Sequence, residues 1–224
     1  MSTLSTRAGA APYTKLVLRV YDLWVVLISN NYGWRCNRAH FSDLYRQHIG
    51  HRHLEVGPGS GWALANIDLP ADIELTLLDL NANSLDHTAS RLNLSLTLIE
   101  HDVLLPLNAS VDKFDSVAIN YVLHCLPGEW STKATALTNL ARTLTPEGVL
   151  FGSTVIGVDQ NFSVLGKVLM FAYNKFGVFG NRRDDLPGLR RVLSERFEHV
   201  EVTMVGNVAL FVARRPRRHA RASP

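Results

Sequence analysis

The sequence predicts an α/β fold with a doubly wound, Rossmann-like sheet, and three observations lead to that prediction. Short apolar runs typical of strands alternate with helix-like stretches from residue 53 onwards, which implies parallel strand pairing. A glycine-rich loop follows the first run, and an acid or an amide closes each of the next three. In doubly wound folds such residues line a ligand crevice at the carboxyl edge of the sheet.

The expected sheet has seven strands, mostly parallel, with helices on both faces and a C-terminal antiparallel hairpin. Apolar runs place five strands at residues 53–56, 75–80, 94–100, 114–121 and 148–155. The fifth follows a helix-like stretch at 131–144 and a turn at 145–148. Residues 199–205 and 207–213 flank Gly206 and form the predicted hairpin.

The loop at residues 57–61 has glycine at its first, third and fifth positions, between a strand and a helix start. Glycine lets backbone amides approach a ligand closely. Asp79 lies 22 residues after Gly57, a spacing at which an acid accepts hydrogen bonds from ribose hydroxyls. A nicotinamide enzyme needs a glycine where this chain has Trp62, which argues against a dehydrogenase.

These pieces, in this order, resemble the class I S-adenosylmethionine-dependent methyltransferases. The matching segments are 55–61, 78–81, 101–103, 114–117 and 144–150. The resemblance covers about residues 54–154. It implies S-adenosylmethionine as cofactor and transfer of its methyl group as the reaction.

By that resemblance the glycine loop would hold the methionyl part of the cofactor. Asp79 would bind the ribose hydroxyls, and Asp102 would meet the adenine amino group with Val103 packed near the ring. The expected cofactor-binding residues are, in chain order, Tyr21, Glu55, Gly57, Gly59, Gly61, Asp79, Leu80, Asp102, Val103 and Asn120.

The segment after the fourth strand contains the catalytic candidates, Tyr121 and His124. A base is needed only if the acceptor is a hydroxyl or another weak acid, and a histidine of near-neutral pKa suits that task. The alternative is that His124 only caps or packs. Relatives that methylate nucleic-acid or protein amide nitrogens often carry a proline pair here, and this chain has none. A small-molecule acceptor is therefore expected.

Residues 1–50 are predicted to form an N-terminal helical cap. Apolar residues recur at helical spacing between 16 and 28, and a second helix is expected at 41–49. In the resembled family such helices often cover the cofactor and wall the substrate pocket. Tyr21 would reach the cofactor carboxylate, and Trp34, in an aromatic loop, would contact substrate. Packing in the core is the alternative for both aromatic residues.

The domain at residues 51–213 has a predicted lid insertion at 157–185, called the lid segment below. It is too apolar for a plain surface loop, and long irregular segments are usually functional. A helix is expected at 162–174, followed by hinges at Gly177 and Gly180. With Trp34, we assign Met170 and Tyr173 to substrate binding, which favours a hydrophobic or aromatic acceptor. A contact between two copies of the chain, giving a homodimer, or simple packing is the alternative.

Composition agrees with one cytoplasmic domain. A chain of 224 residues can bury a sizeable core without disulfides, and its two cysteines do not indicate a disulfide framework. No metal-ligand spacing appears, so no metal site is assigned. The N-terminus lacks a signal-peptide core. The apolar run at 16–28 contains Arg19 and Asp22 and is too short to span a bilayer.

The formal net charge of +3 is unevenly distributed. Five arginines lie in residues 214–224, so the rest of the chain has 18 basic and 20 acidic residues, or about −2. This favours a basic, disordered tail at 214–224 on a slightly acidic domain. An enzyme of nucleic acids would need a positive binding face, so no nucleic-acid partner is expected.

Three functions remain open at this level. The first is methyl transfer to an apolar small molecule, such as a secondary metabolite or a quinone-like or lipid-like compound. The second is a protein that binds the same cofactor but catalyses a non-methylating reaction or acts as a partner subunit. The third, less favoured, is methylation of RNA or protein.

Overall fold

The computed structural model describes residues 32–108 and 113–217 and contains a seven-stranded mixed sheet in the order β3-β2-β1-β4-β5-β7-β6. The strands are β1 (Arg52–Val56), β2 (Glu74–Asp79), β3 (Thr97–Glu100), β4 (Phe114–Asn120), β5 (Leu144–Val155), β6 (Phe197–Val205) and β7 (Val208–Pro216). The helices are α1 (Ala39–His48), α2 (Trp62–Ala65), α3 (Ala82–Leu92), α4 (Trp130–Thr143), α5 (Val164–Lys175) and α6 (Leu186–Ser194). The predicted fold class is confirmed.

The first five strands pair in parallel, and β7 pairs antiparallel with both β5 and β6. The chain winds outward from β1 through β2 to β3 and then returns to place β4 on the other side of β1. Strand order therefore reverses between β1 and β4. In open α/β sheets a ligand binds at that switch point, beyond the carboxyl ends of the strands.

Alternating side chains give the sheet two apolar faces. Leu54, Val117 and Ile119 belong to a core cluster with residues of α4 and α6. Ala118 and Phe151 belong to a second cluster with residues of α1, α2 and α3 on the other face. Both faces are thus covered by helices, which is the condition under which parallel sheets form.

The C-terminal hairpin forms as predicted, but the strand continues beyond residue 213. Gly206 has φ of 58° at the turn, a conformation that favours glycine. Arg214 lies opposite Val149 on β5, Arg215 forms an ion pair with Glu147, and Arg217 donates to the Ser194 carbonyl. The prediction of a disordered tail from 214 is therefore wrong for residues 214–217, because backbone pairing and side-chain bonds hold them.

The fifth strand also begins earlier than the sequence predicts. Leu144 already pairs with Phe114, whereas the next partners are Val149 and Ser116. The residues expected to form a turn at 145–148 lie where the register shifts, so an irregularity within β5 replaces the free turn.

The lid segment contains the predicted helix, now bounded as α5. The Ser163 side chain accepts a hydrogen bond from the Gly166 amide, which caps the helix and fixes its start. Its apolar residues lie on both sides: Leu169 is buried, whereas Val168 and Phe171 are exposed.

No helix within residues 32–108 and 113–217 has the length and apolar character needed to cross a bilayer. The predicted helix near 16–28, and Tyr21 with it, lies outside the described residues.

Candidate functional site

The glycine loop adopts a backbone that only glycine accommodates easily. Gly57, Gly59 and Gly61 have φ of 67°, 59° and 71°. A Cβ on Gly57 would lie 2.4 Å from the Val122 side chain, so an alanine there would be both strained and obstructed. The Gly57 amide donates to the Leu78 carbonyl at 2.8 Å, which joins the loop to β2.

Helix α3 holds the loop from the other side. The Ser84 hydroxyl donates to the Gly59 carbonyl at 3.0 Å, the Thr88 hydroxyl to the same carbonyl at 3.3 Å, and Arg91 to the Ser60 carbonyl at 3.0 Å. Sequence reasoning missed these three residues. Their signal was available, since they recur three or four residues apart on one helix face.

Asp79 ends β2 at the carboxyl edge. Its Oδ1 accepts a hydrogen bond from the Asn81 amide at 2.9 Å, and Asn81 in turn caps α3 by accepting from the Asn83 amide. Burial raises the pKa of Asp79 above its ordinary value. Leu80 follows it and is half-buried. The carboxylate is thus placed by the strand end and the start of the next helix.

Asp102 lies at the same edge, one strand further out. The His101 amide donates to the Asp79 carbonyl at 3.0 Å, which brings the two strand ends together. The Asp102 Oδ1 accepts from the Leu104 amide at 2.9 Å. Val103 is buried, and its carbonyl accepts from the Asn139 side chain of α4 at 3.0 Å.

Glu55 and Asn120 meet in a buried polar network on the α1 face of the sheet. The Tyr45 hydroxyl donates to Glu55, with its oxygen 2.8 and 2.9 Å from the two carboxylate oxygens. The Asn120 side-chain amide donates to the Tyr45 oxygen at 3.1 Å. His53 Nε2 lies 3.3 Å from Glu55, and Ser153 donates to Asn120 Oδ1 at 2.9 Å. Tyr45 was not predicted by the sequence analysis.

Tyr121 has a positive φ of 56°, which is uncommon for an aromatic residue. Its ring packs edge-on against Phe41, with the ring centroids 5.1 Å apart, and its hydroxyl oxygen is buried. Burial raises the pKa of Cys36 to about 12. The Tyr121 ring packs against the apolar cluster beneath the lid segment, and its role in catalysis stays a prediction.

His124 is buried, and its environment disfavours the general base that the sequence predicts, which stays a prediction. Its Nδ1 accepts a hydrogen bond from the Val155 amide at 3.2 Å. A backbone amide can only donate, so the ring proton of the neutral imidazole resides on Nε2. Burial, with a smaller contribution from the Lys133 charge, lowers the His124 pKa to about 3. The His124 ring lies edge-on to the Phe179 ring, with the centroids 4.3 Å apart, so His124 packs against the lid segment.

The three residues predicted to bind substrate meet in one apolar cluster around Phe179. The rings of Trp34 and Tyr173 pack against the Phe179 ring, with centroid distances of 5.9 and 4.9 Å. Met170 packs against the same cluster, and its Sδ lies 3.8 Å from the side-chain nitrogen Nδ2 of Asn181. Trp34 is only 2% exposed, so in this arrangement it is a packing residue. Met170 and Tyr173 are half-buried on the inner side of α5.

A buried ion pair anchors the chain that leaves the lid segment. Lys133 of α4 contacts Asp184 at 2.5 Å and donates to the Gly180 carbonyl at 3.1 Å. Burial lowers the pKa of Lys133 and raises that of Asp184 to about 6. Sequence reasoning missed this pair, because its members are 51 residues apart.

Comparisons with known proteins agree with this geometry. Residues 54–150 match a family model described as a methyltransferase domain. Over 207 residues the chain is 39% identical to demethylluteothin O-methyltransferase of Streptomyces thioluteus, covering 92% of this chain and 90% of the relative. The chain belongs to the class I S-adenosylmethionine-dependent methyltransferases.

Two further similarities extend that result. The methyltransferase is 35% identical over 215 residues to the physcion biosynthesis cluster O-methyltransferase of Aspergillus chevalieri, covering 95% and 97% of the two chains. The fold is similar to the N-methyltransferase NodS of Bradyrhizobium japonicum in complex with S-adenosylhomocysteine, with a TM-score of 0.65, 15% identity and coverage of 95% and 98%. Membership of this family makes S-adenosylmethionine the cofactor of this chain, as the sequence analysis predicted.

A separate depression of about 600 Å³ lies at the opposite edge of the sheet. Arg52, Glu74, Thr97 and Phe114 line it, and these residues begin their strands. In this fold the ligand occupies the carboxyl edge, so this depression is not the methyltransferase site. No group of three or more histidine, cysteine or acidic side chains in the described ranges 32–108 and 113–217 could hold a metal ion.

Proposed function

We propose that this methyltransferase transfers the methyl group of S-adenosylmethionine to a hydroxyl oxygen of an apolar, aromatic small molecule. The observation that carries the proposal is the 39% identity, over nearly the whole chain, to a relative named for O-methylation of demethylluteothin. The relative named for physcion biosynthesis is also an O-methyltransferase. The apolar cluster around Phe179 supports an acceptor of matching character.

The cofactor is assigned to the carboxyl edge around the switch point. The glycine loop would hold its methionyl part, Asp79 the ribose hydroxyls and Asp102 the adenine amino group. The bonds from Ser84, Thr88 and Arg91 to the loop carbonyls support this assignment, because they fix the loop before a ligand arrives.

The chemistry requires little from the protein beyond alignment and exclusion of water. When bound, the sulfonium would supply an electrophilic methyl group. The acceptor hydroxyl would give its proton to solvent water, and its oxygen would form the O–CH₃ bond as the S–CH₃ bond breaks and leaves a neutral thioether. The lid segment would orient the acceptor and keep water from the reacting atoms. The Nδ1 lone pair of His124 accepts from the Val155 amide, and the Tyr121 hydroxyl oxygen is buried, so neither group is well placed to take the acceptor's proton. A phenol, which ionises more readily than an alcohol, is thus the acceptor that this site suits.

The test uses three matched apolar acceptors: a phenol, its methyl ether and the corresponding aniline. Each is incubated with the purified protein and S-adenosylmethionine, and products and S-adenosylhomocysteine are quantified by mass spectrometry. We expect the phenol alone to gain one methyl group, with one equivalent of S-adenosylhomocysteine formed. Methylation of the aniline alone, or conversion of an acceptor without S-adenosylhomocysteine, would contradict the proposal; the second result would favour a non-methylating function.

A further inference from the structure

The buried network beside the glycine loop has a direction that can be read from its donors and acceptors. Glu55 is 3% exposed, and a carboxylate only accepts hydrogen bonds. The single hydroxyl proton of Tyr45 is therefore committed to Glu55, at 2.8 and 2.9 Å from its oxygens. Burial and the neighbouring carboxylate raise the pKa of Tyr45 well above its ordinary value, so the phenol keeps that proton.

With its proton committed, the Tyr45 oxygen can only accept from the next residue. Asn120 donates to it through Nδ2 at 3.1 Å, and Ser153 of β5 donates to Asn120 Oδ1 at 2.9 Å. If the amide were rotated by half a turn, its oxygen would face the lone pairs of the Tyr45 oxygen. Glu55 thus sets the orientation of Asn120 through Tyr45.

A second branch fixes Glu55 itself. The Gly50 amide donates to the Ser116 oxygen at 2.7 Å, so the Ser116 hydroxyl is free to donate to His53 Nδ1, also at 2.7 Å. His53 then carries its ring proton on Nε2, which faces Glu55 at 3.3 Å. The His53 and Tyr45 rings both pack against Phe151, at 5.9 and 5.2 Å.

The location of the network connects it to the cofactor. Glu55 precedes the glycine loop by two residues on β1, and Asn120 ends β4, so the pair flanks the switch point of the sheet. Asn120 is half-buried, and its Nδ2 has a second hydrogen. We propose that Tyr45 is a positioning residue, which holds the Asn120 amide with this hydrogen directed at the cofactor edge. The proposal rests on the proposed function.

The experiment compares S-adenosylhomocysteine affinity by calorimetry, and kcat and both KM values, for Tyr45→Phe and Ser153→Ala. Thr143→Val is the matched control, because its buried hydroxyl donates to the nearby Leu140 carbonyl of its own helix. The loss of one buried hydrogen bond changes an equilibrium constant by about tenfold. We therefore expect each test variant to lose about tenfold in affinity and to raise the KM of S-adenosylmethionine, with the acceptor KM unchanged.

A double-mutant cycle separates positioning from loss of stability. In an Asn120→Ala background, Tyr45→Phe should have no further effect on affinity, because its action passes through the amide. Equal affinities of Tyr45→Phe and Thr143→Val, or an additive cycle, would overturn the proposal. Should Tyr45→Phe fail to fold, Ser153→Ala and its own cycle with Asn120→Ala decide the same question. If the unaltered protein does not bind S-adenosylhomocysteine, the assigned cofactor site fails; normal binding by the variants refutes only the positioning role.

Discussion

Asp79 combines two properties that oppose each other in the unliganded protein. Its position after β2 suits a ribose, yet burial disfavours its charge and raises its pKa. The ionised carboxylate therefore costs folding stability while it serves binding. Such a cost at a ligand-binding residue is expected where function and stability compete.

Replacing Asp79 with Asn should consequently have opposite effects on binding and stability. The new amide oxygen can still accept from the Asn81 amide. The carboxylate that would accept from both ribose hydroxyls is lost, so the free energy of cofactor binding weakens by about 1.5–3 kcal/mol. Because the folded pKa is raised, the charged form destabilises the fold above that pKa. The variant should therefore be more resistant to urea at neutral pH. Calorimetry and urea denaturation measure both effects; unchanged affinity would refute the ribose assignment.

A second prediction at this scale concerns His124. Its folded pKa of about 3 lies below the ordinary 6.5, so the unfolded chain binds a proton that the fold excludes. Above pH 6.5 His124 is neutral in both states and carries no penalty. Between pH 6.5 and about 3 the free energy of unfolding falls by about 1.4 kcal/mol for each unit of pH decrease. The wild type should lose this stability on acidification, whereas His124→Phe should not. Denaturation at several pH values checks this.

The same variant tests whether His124 is a base. Since its lone pair is bonded to Val155, the pH–rate profile of His124→Phe should keep the wild-type shape, even if kcat falls through looser packing against Phe179. Loss of a rate-limiting ionisation near neutral pH in the variant would restore the catalytic role.

At the scale of elements, the Lys133–Asp184 pair joins α4 to the end of the lid segment. Breaking one partner of a buried pair leaves an uncompensated charge, and we expect Lys133→Met to cost about 3–5 kcal/mol. The double variant Lys133→Met/Asp184→Leu should recover much of that loss, because neither charge remains. Urea denaturation of the two variants measures the difference. Equal losses would show that the pair does not act as a unit.

The elements themselves were largely predictable from the sequence. Apolar patterning predicted the strands and a helix at 162–174, which the structure places at Val164–Lys175, because such patterning is a local property. The irregularity at 145–148 and the extension of β7 to Pro216 were not predictable, since pairing with Phe114 and with β5 decides them. A turn signal or a run of arginines does not contain that information.

For the whole molecule, binding and folding are linked. S-adenosylhomocysteine at a hundredfold excess over its Kd should stabilise the protein by about 2.7 kcal/mol. In a chain of this size that corresponds to an increase in Tm of roughly 5–11 °C. Thermal denaturation with and without the ligand measures it, and Asp79→Asn at the same ligand concentration should show a smaller shift. No shift in the wild type at any concentration would contradict the cofactor assignment.

The fold class, the glycine loop and the acids at the strand ends were predictable from the sequence, because these depend on residue type and spacing along the chain. Tertiary contacts, by contrast, bring Glu55 and Asn120 into one network and bury His124 with its Nδ1 bonded to a backbone amide. Tyr45 donates to Glu55 and accepts from Asn120, and the Val155 amide donates to His124; these partners are distant in sequence. A side chain's chemistry depends on its burial and on which lone pairs are occupied, and folding alone sets both.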